Sequence, residues 1–390
     1  MASYKYLIVG AGMTADAAVR GIRELDTGGK IGMIGNEPNP PYNRPPLTKA
    51  LWKGKPLDSI WRRTKELSVD LILGRTVQTV DARKKVIRDD QGADYGYEKL
   101  LLATGGTPRK LPFDSRDIIY YRTLADYQRL REMSNQREHF GVIGGGFIGS
   151  EIAAALAMNG KKVTMIFPDA GIGSRMYPAE LSDYLNRFFR QKGVEVLAGE
   201  SVHDVRKQNG SFELITGHGD KIDVDGVIAG IGIQPNVELA QAAGLKVGNG
   251  IVVDDFLHTS QSDIFAAGDV AEFSNPALGK RLRIEHEDNA NTMGKQAGRN
   301  MAEANEPYHH LSYFYSDLFE LGYEAVGELD SKLQTFVDWK KPFEKGVIYY
   351  LAGGRVRGVL LWNVWDTVPK ARMLIAEPGP FAPDNLKERL

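Results

Sequence analysis

The chain has 390 residues with 49 basic and 50 acidic side chains, and its formal net charge is −1. This length predicts two or three domains, and the balanced charge argues against a polyanion partner, so we expect no binding to nucleic acid. The sequence contains no cysteine, which excludes disulfides, thiolate zinc sites and cysteine-ligated iron–sulfur clusters. Neither His309-His310 nor Glu285-His286-Glu287 has the i, i+4 spacing of a helical metal-binding pair, so we expect no bound metal.

No apolar run approaches the roughly 18 residues that a membrane span requires, so we expect no transmembrane segment. A core strand is predicted to begin close to the N-terminus, which leaves no room for a signal sequence. Both features favour a cytoplasmic location.

The chain opens with a predicted βαβ unit. Residues 6–9 form a buried strand, residues 13–24 a helix and residues 31–34 a second strand. The first turn contains Gly10-Ala-Gly12-Met-Thr-Ala15, in which glycines leave space for a pyrophosphate to reach the helix N-terminus. Glu37 follows the second strand, where it is placed to accept hydrogen bonds from a ribose. The pattern predicts a dinucleotide site.

The next region has the pattern of a hairpin, across residues 77–87 with a turn at residues 89–92. An apolar strand then ends in Thr104-Gly105-Gly106. Because glycines allow a backbone to lie against a nucleotide, we expect this strand to return to the first sheet.

A second βαβ unit repeats the first. Residues 140–143 form its strand, residues 148–158 its helix and residues 163–167 its second strand, which leads to Asp169. The turn reads Gly144-Gly-Gly146-Phe-Ile-Gly149, a second dinucleotide fingerprint. Two complete units predict two bound dinucleotides.

The remaining chain completes both nucleotide-binding domains. A strand at residues 224–230 closes the second unit, residues 231–236 cross back, and a strand at residues 263–269 rejoins the first. Glu285 and His286 precede a helix predicted through residues 291–301. Alternating strands at residues 346–351 and 356–362 then precede a short terminal helix.

We therefore predict an α/β fold with two Rossmann-like nucleotide-binding domains and a C-terminal α+β domain. The first nucleotide-binding domain comprises residues 1–115 and 246–312, and the second, residues 116–245, is inserted into it. Residues 313–390 form the C-terminal domain.

Several longer motifs carry a family resemblance. They are Pro41-Tyr-Asn-Arg44-Pro45-Pro46-Leu-Thr-Lys49, Ala103-Thr104-Gly105-Gly106-Thr-Pro108-Arg109, Gly144-Gly-Gly-Phe-Ile-Gly-Ser-Glu151 and Ala267-Gly268-Asp269. Together they resemble the FAD-dependent pyridine-nucleotide oxidoreductases of the glutathione-reductase superfamily, in particular apoptosis-inducing factor and the bacterial ferredoxin and rubredoxin reductases. The segments at residues 314–318, 322–327, 345–350 and 359–363 favour the apoptosis-inducing-factor branch.

The resemblance implies that the first fingerprint binds FAD and the second NADH. The residues expected at FAD are Gly10, Gly12, Ala15, Glu37, Arg44, Pro45, Lys49, Thr104, Gly105, Arg109, Gly268, Asp269, Glu285 and His286. Those expected at the nicotinamide cofactor are Gly144, Gly146, Phe147, Ile148, Gly149, Glu151, Asp169, Arg175 and Gly232. Asp169 favours NADH over NADPH because its carboxylate repels a 2′-phosphate. Arg175 either contacts the adenosine or permits NADPH binding.

The expected chemistry is hydride transfer from C4 of the nicotinamide to N5 of the flavin, which requires close contact and exclusion of water. The resemblance places Lys49 beside N5 and O4 of the flavin, with Glu151 holding it. A cation there stabilises arriving electron density, and a nearby carboxylate keeps a buried lysine charged. The alternative for Lys49 is a solvated side chain. The alternative for Glu151 is a glutamate in the first helical turn that complements the helix dipole.

Other candidate residues have more than one interpretation each. His286 is either a flavin contact or a surface histidine. Tyr315 walls off the flavin, relays electrons to a partner, or packs in the C-terminal core. Arg44 is either a cation for the pyrophosphate or part of a loop salt bridge. Phe147 either flanks the nicotinamide or packs at the strand–helix turn.

Without cysteine, electrons cannot leave the flavin through a dithiol or a catalytic thiolate. The leading hypothesis is an NADH oxidoreductase similar to apoptosis-inducing factor, which delivers electrons to ferredoxin, rubredoxin, a quinone or dioxygen. One alternative is a dedicated ferredoxin or rubredoxin reductase. The other is an NADH-responsive redox sensor that changes dimerisation, and a homodimer is compatible with each.

Overall fold

The protein is described by a computed structural model covering residues 1–113 and 117–390. The chain divides into two compact units, each formed by three segments. The first contains Met1–Arg44, Asp58–Thr107 and Gln234–Tyr313. The second contains Pro45–Leu57, Pro108–Ile233 and Phe314–Leu390.

The helices in the described residues are α1 Met13–Leu25, α2 Leu124–Gln136, α3 Phe147–Met158, α4 Ala179–Gln191, α5 Glu238–Ala242, α6 Glu287–Met301, α7 Val368–Ala376 and α8 Pro383–Leu386. Short 3₁₀ helices span Pro45–Leu47, Leu57–Ile60, Thr64–Leu67 and Gly268–Val270.

The strands, numbered along the chain, are β1 Ala2–Val9, β2 Ile31–Gly35, β3 Val69–Leu73, β4 Val77–Asp81, β5 Val86–Asp89, β6 Asp94–Leu102, β7 Gly106–Pro108, β8 Ile119–Tyr120, β9 His139–Ile143, β10 Lys162–Phe167, β11 Val194–Ala198, β12 Val202–Gln208, β13 Ser211–Thr216, β14 Lys221–Val224, β15 Gly226–Ala229, β16 Ile233–Pro235, β17 Ile251–Val252, β18 Ile264–Ala266, β19 Ala271–Asn275, β20 Lys280–Leu282, β21 Tyr313–Leu318, β22 Leu321–Gly327, β23 Gln334–Lys341, β24 Lys345–Ala352 and β25 Arg355–Trp362.

The main sheet of the first unit has the order β3-β2-β1-β6-β5-β4, with β18 paired to β6. β1 runs parallel to both β2 and β6, and its Leu7 and Ile8 side chains are fully buried. An apolar run is typical of a parallel strand covered on both faces. The first predicted strand is confirmed, although it begins at Ala2.

Glycines allow α1 and α6 to pack unusually closely. A Cβ atom on Gly294 would lie 2.4 Å from the Thr14 carbonyl oxygen, and one on Gly298 would lie 2.0 Å from the Ala18 carbonyl oxygen. A Cβ atom on Gly21 would lie 2.1 Å from a backbone oxygen of α6. Only glycine permits these approaches. Because α1 begins at the first fingerprint, this packing also fixes the direction of that helix N-terminus.

The main sheet of the second unit has the order β11-β10-β9-β15-β8, and its neighbouring strands are parallel. α3 connects β9 to β10, so the predicted second βαβ unit is confirmed. An antiparallel sheet, β12-β13-β14, precedes β15 in the chain.

A third sheet in the second unit has the order β21-β22-β25-β24-β23. β23, β24 and β25 form an antiparallel meander, which confirms the predicted alternating strands. Tyr349 and Trp362 are fully buried in this part of the chain. With α7 it forms the predicted α+β portion, and the fold class is confirmed.

Two predicted strands are shorter than expected. The strand expected at residues 224–230 is divided at Asp225, whose carboxylate accepts the backbone N–H groups of Glu138 and His139. The strand expected at residues 263–269 is limited to β18, because Gly268 adopts a φ of 79° and turns the chain.

The helix expected after Glu285 and His286, through residues 291–301, is α6, which begins at Glu287 with His286 as its N-cap residue. The predicted boundary between residues 115 and 116 lies outside the described residues, and the three-domain division stays a prediction. Within residues 1–113 and 117–390, no helix is both long enough and apolar enough to cross a membrane.

The close packing of α1 and α6 can be tested with Gly298→Ala. Alanine is favoured over glycine in a helix by about 1 kcal/mol, but here its methyl group would collide with the Ala18 carbonyl. We expect a net destabilisation of about 1–3 kcal/mol, measured by urea unfolding. Gly28→Ala is the control, because a Cβ atom there meets nothing within 4 Å. A Gly298→Ala protein as stable as the wild type would contradict the close approach.

Candidate active site

The first fingerprint forms a turn that leaves space in front of α1. Gly10 has a φ of 116°, and a Cβ atom on it would lie 2.2 Å from the Ala103 carbonyl oxygen. Gly12 is the N-cap residue of α1, and a Cβ atom on it would meet nothing within 4 Å. The fully buried Ala15 follows in the first turn of the helix. Open space before free helix N–H groups fits the pyrophosphate of FAD.

Gly268 lies close to this turn within the first unit. It has a φ of 79°, and a Cβ atom on it would lie 2.3 Å from Thr14 Oγ1. Asp269 follows in the same 3₁₀ helix. The Asp269 carbonyl accepts a hydrogen bond from Arg283 Nη1 at 2.9 Å, and the same Arg283 nitrogen lies 2.6 Å from Glu285 Oε1. The structure therefore links the predicted Asp269 and Glu285 through Arg283, which was not among the residues predicted to bind a cofactor.

Glu37 lies two residues after β2, and its carboxylate has two partners. Arg44 Nη2 lies 2.5 Å from Glu37 Oε1, and the Tyr42 hydroxyl donates to Glu37 Oε2 at 2.6 Å. The Arg44 guanidinium also lies over the Tyr42 ring. Both predicted residues are thus brought together, and the loop salt bridge given as the alternative for Arg44 is present.

His286 is partly buried at the N-terminus of α6. Burial lowers the pKa of its imidazole to about 4, although the carboxylates of Asp269 and Asp288 act in the opposite direction. The imidazole is therefore neutral at physiological pH.

Asn236 links two segments of the first unit by hydrogen bonds to Thr104 and Gly105. Its side chain donates to the Thr104 carbonyl at 2.8 Å, and its backbone carbonyl accepts from the Thr104 hydroxyl at 2.8 Å. Its backbone N–H donates to the Gly105 carbonyl. In the second unit, the Arg109 N–H donates to the Gly232 carbonyl at 2.9 Å. The sequence did not single out Asn236, because hydrogen bonds between segments that are distant in the chain have no local motif.

The second fingerprint repeats the geometry of the first. A Cβ atom on Gly144 would lie 2.4 Å from the Gly230 carbonyl oxygen, and one on Gly149 would lie 2.0 Å from the Gly144 carbonyl oxygen. Gly146 is the N-cap residue of α3, and a Cβ atom on it would meet nothing within 4 Å. Ile148 lies in the first turn of α3. This opening fits a second pyrophosphate.

Asp169 and Arg175 lie beyond β10 in the second unit. Arg175 Nε donates to Asp169 Oδ1 at 3.1 Å, and the Arg175 side chain is 80% exposed. An exposed arginine paired with the predicted ribose acceptor can change partner when a cofactor binds. The geometry leaves both predicted roles of Arg175 open.

Lys49 and Glu151 form a buried ion pair in the second unit. Lys49 Nζ lies 2.6 Å from Glu151 Oε1, and the two side chains are 11% and 4% exposed. The Lys49 ammonium also lies 5.2 Å from the centre of the Tyr315 ring, within range of a cation–π interaction. The hydroxyl of Thr48 donates to Glu151 Oε2 and that of Ser316 to Glu151 Oε1. Neither hydroxyl was predicted.

Phe147 contacts the same part of the second unit. Its ring packs edge-to-face against Phe314, with 5.4 Å between the ring centres. Phe314, Tyr315 and Ser316 are consecutive in β21. Phe147, Lys49 and Glu151 therefore contact three consecutive residues of β21, namely Phe314, Tyr315 and Ser316.

The loop that carries Lys49 is fixed by hydrogen bonds and ring contacts. The Leu47 carbonyl accepts from Trp52 Nε1 at 2.9 Å and from the Tyr121 hydroxyl at 2.5 Å. The Trp52 carbonyl accepts from Asn159 Nδ2, and the Arg131 guanidinium lies over the Trp52 ring. The second compact unit also contains three of the residues predicted at FAD, namely Pro45, Lys49 and Arg109.

Comparison with known proteins identifies the family. Residues 4–294 match the model for pyridine nucleotide-disulphide oxidoreductases. Residues 297–342 and 337–377 match the C-terminal domain of mitochondrion-associated apoptosis-inducing factor.

Curated relatives and solved structures agree with these matches. Apoptosis-inducing factor 1 of Dictyostelium discoideum is 34% identical, over 95% of this chain and 78% of its own. The ferredoxin–NAD(+) reductase component of the anthranilate 1,2-dioxygenase system of Burkholderia cepacia is 34% identical, over 100% of this chain and 98% of its own.

The crystal structure of the covalent putidaredoxin reductase–putidaredoxin complex contains a chain with a TM-score of 0.91 and 29% identity, covering 99% of this chain and 96% of that one. The resemblance inferred from the sequence motifs is therefore confirmed. The chain belongs to the pyridine nucleotide-disulphide oxidoreductase family and is an FAD-dependent NAD(P)H oxidoreductase.

Proposed function

We propose that the protein transfers a hydride from NADH to FAD and then delivers the electrons directly to an external acceptor. When bound, FAD supplies the N5 position that accepts the hydride. The complete lack of cysteine is the observation that carries direct delivery, because disulfide reduction requires a thiol pair. We also propose that the chain has the predicted three-domain division. The protein acts in the cytoplasm, where NADH is supplied.

Lys49 has the central role in this proposal. Its ammonium stabilises negative charge that develops on bound FAD. Within the protein, the Glu151 carboxylate balances the positive charge of the Lys49 ammonium. The pair is supported by a 2.6 Å contact between two nearly buried groups. Tyr315 covers the ammonium and limits its access to water.

The remaining predicted residues bind the two cofactors. Gly10, Gly12 and Glu37 receive the pyrophosphate and ribose of FAD, and Gly144, Gly146 and Asp169 receive those of NADH. His286 presents a neutral imidazole at the start of α6. Phe147, whose ring packs against Phe314 in β21, flanks the nicotinamide.

The acceptor that we propose is a ferredoxin-type iron–sulfur protein. This choice is supported by the ferredoxin reductase from Burkholderia cepacia and by the structure of putidaredoxin reductase with putidaredoxin. Quinones and dioxygen are the competing acceptors. Asp169 supports NADH as the donor in preference to NADPH.

The proposal predicts that Lys49→Ala slows reduction of bound FAD by NADH about a hundredfold, the size expected for removing one electrostatic stabiliser. The measurement is anaerobic rapid mixing, followed by flavin absorbance. Lys55→Ala is the control, because Lys55 is an exposed lysine of the same loop. A second mix with ferredoxin or dioxygen identifies the acceptor that reoxidises the flavin fastest. Equal reduction rates in Lys49→Ala and the wild type would remove Lys49 from the mechanism.

The two fingerprints should respond differently to the same substitution. Gly12→Ala and Gly146→Ala both place a methyl group where the chain itself leaves open space, so we expect both proteins to fold. Gly12→Ala should purify with less FAD, whereas Gly146→Ala should keep its FAD and bind NADH more weakly. Flavin content and the KM for NADH measure these effects. Loss of FAD from Gly146→Ala alone would reverse the assignment of cofactors.

Burial of His286 predicts a pH-dependent stability. Its pKa is lowered from 6.5 to about 4, so the unfolded chain binds a proton that the folded chain does not. The contribution of neutral His286 to the free energy of unfolding is therefore complete above pH 6.5 and is lost as the pH falls towards 4. Thermal unfolding across this range should show a smaller acid destabilisation in His286→Gln than in the wild type. The exposed His203→Gln is the control, and identical profiles for His286→Gln and the wild type would contradict the predicted shift.

A further inference from the structure

The Glu151 carboxylate has more partners than the ion pair alone requires. Ser316 Oγ donates to Glu151 Oε1 at 2.5 Å, and Thr48 Oγ1 donates to Glu151 Oε2 at 2.6 Å. Both hydroxyl-bearing residues are buried, with Ser316 1% exposed and Thr48 6% exposed. The carboxylate therefore has a hydroxyl donor on each of its oxygens in addition to the Lys49 ammonium.

These two hydrogen bonds fix the orientation of the carboxylate that pairs with Lys49. The terminal torsion of a glutamate side chain is soft, so an ion pair alone does not fix the plane of the carboxylate. Donors on both oxygens do fix it. Hydroxyl hydrogen bonds to a carboxylate are charge-assisted and short, as both are here.

We propose that Ser316 is a positioning residue for the reaction. It holds Glu151 Oε1 in the place where that oxygen receives the Lys49 ammonium, and Thr48 secures the other oxygen. Ser316 in β21 therefore acts on hydride transfer indirectly, through the Lys49–Glu151 pair. This inference rests on the proposed role of Lys49.

The strand that carries Ser316 is well suited to this task. Its neighbours Phe314, Tyr315 and Asp317 contact Phe147, Lys49 and Lys53, respectively. Ser316 itself is the buried member of these four consecutive residues. A site residue held on a paired strand keeps its geometry better than one on a loop. Ser316 thus joins a rigid element of the C-terminal sheet to the Lys49–Glu151 pair.

The test compares Ser316→Ala with Ser316→Thr, which retains the hydroxyl. In anaerobic rapid mixing at saturating NADH, Ser316→Ala should reduce the flavin roughly tenfold more slowly than the wild type, consistent with loss of one charge-assisted hydrogen bond. The KM for NADH should not change, and Ser316→Thr should recover most of the rate. Thr48→Val, which keeps the shape of threonine but removes the hydroxyl, should be slowed like Ser316→Ala. Ser134→Ala is the matched control, because Ser134 is also buried in the second unit but donates only to the Arg131 carbonyl.

A double-mutant cycle separates positioning from general stability. If Ser316 acts through the Glu151 carboxylate, Ser316→Ala should have no further effect on the reduction rate in a Glu151→Gln background. Equal tenfold effects in both backgrounds would overturn the proposal, as would a wild-type rate in Ser316→Ala. If the wild type is reduced by NADH but Lys49→Ala is not slowed, the proposed function of Lys49 fails instead.

Discussion

The buried carboxylate of Glu151 is the constraint on which the candidate site depends. An ionised group with 4% exposure is stable only with strong partners, and the fold supplies Lys49, Thr48 and Ser316. These partners come from a proline-rich loop and from the C-terminal sheet, both remote in the sequence. The need to satisfy one charge therefore joins three segments of the second unit.

The same loop shows why Lys49 cannot be treated as a solvated side chain. Trp52 packs in the interior and, with Tyr121, fixes the Leu47 carbonyl two residues before Lys49. The ammonium is then enclosed by Glu151 and the Tyr315 ring. A lysine that is held in place and paired can act as a preorganised cation, which costs no reorganisation during the reaction.

Sequence reasoning predicted the features that depend on local backbone constraints. Both fingerprints require glycine where a Cβ atom would strike a backbone carbonyl, as at Gly10 and Gly144, so their pattern is visible in the sequence. Lys49 and Glu151 were found because they lie in longer family motifs. Thr48, Ser316 and Asn236 were missed because each acts through a partner more than 100 residues away.

In the proposed mechanism, the positive charge of Lys49 favours electron transfer to bound FAD. The most direct test is the midpoint potential of bound FAD in the wild type and in Lys49→Met, measured anaerobically with a reference dye. A cation close to the flavin stabilises added negative charge, so the potential of Lys49→Met should be more negative. Identical potentials in the two proteins would contradict the account.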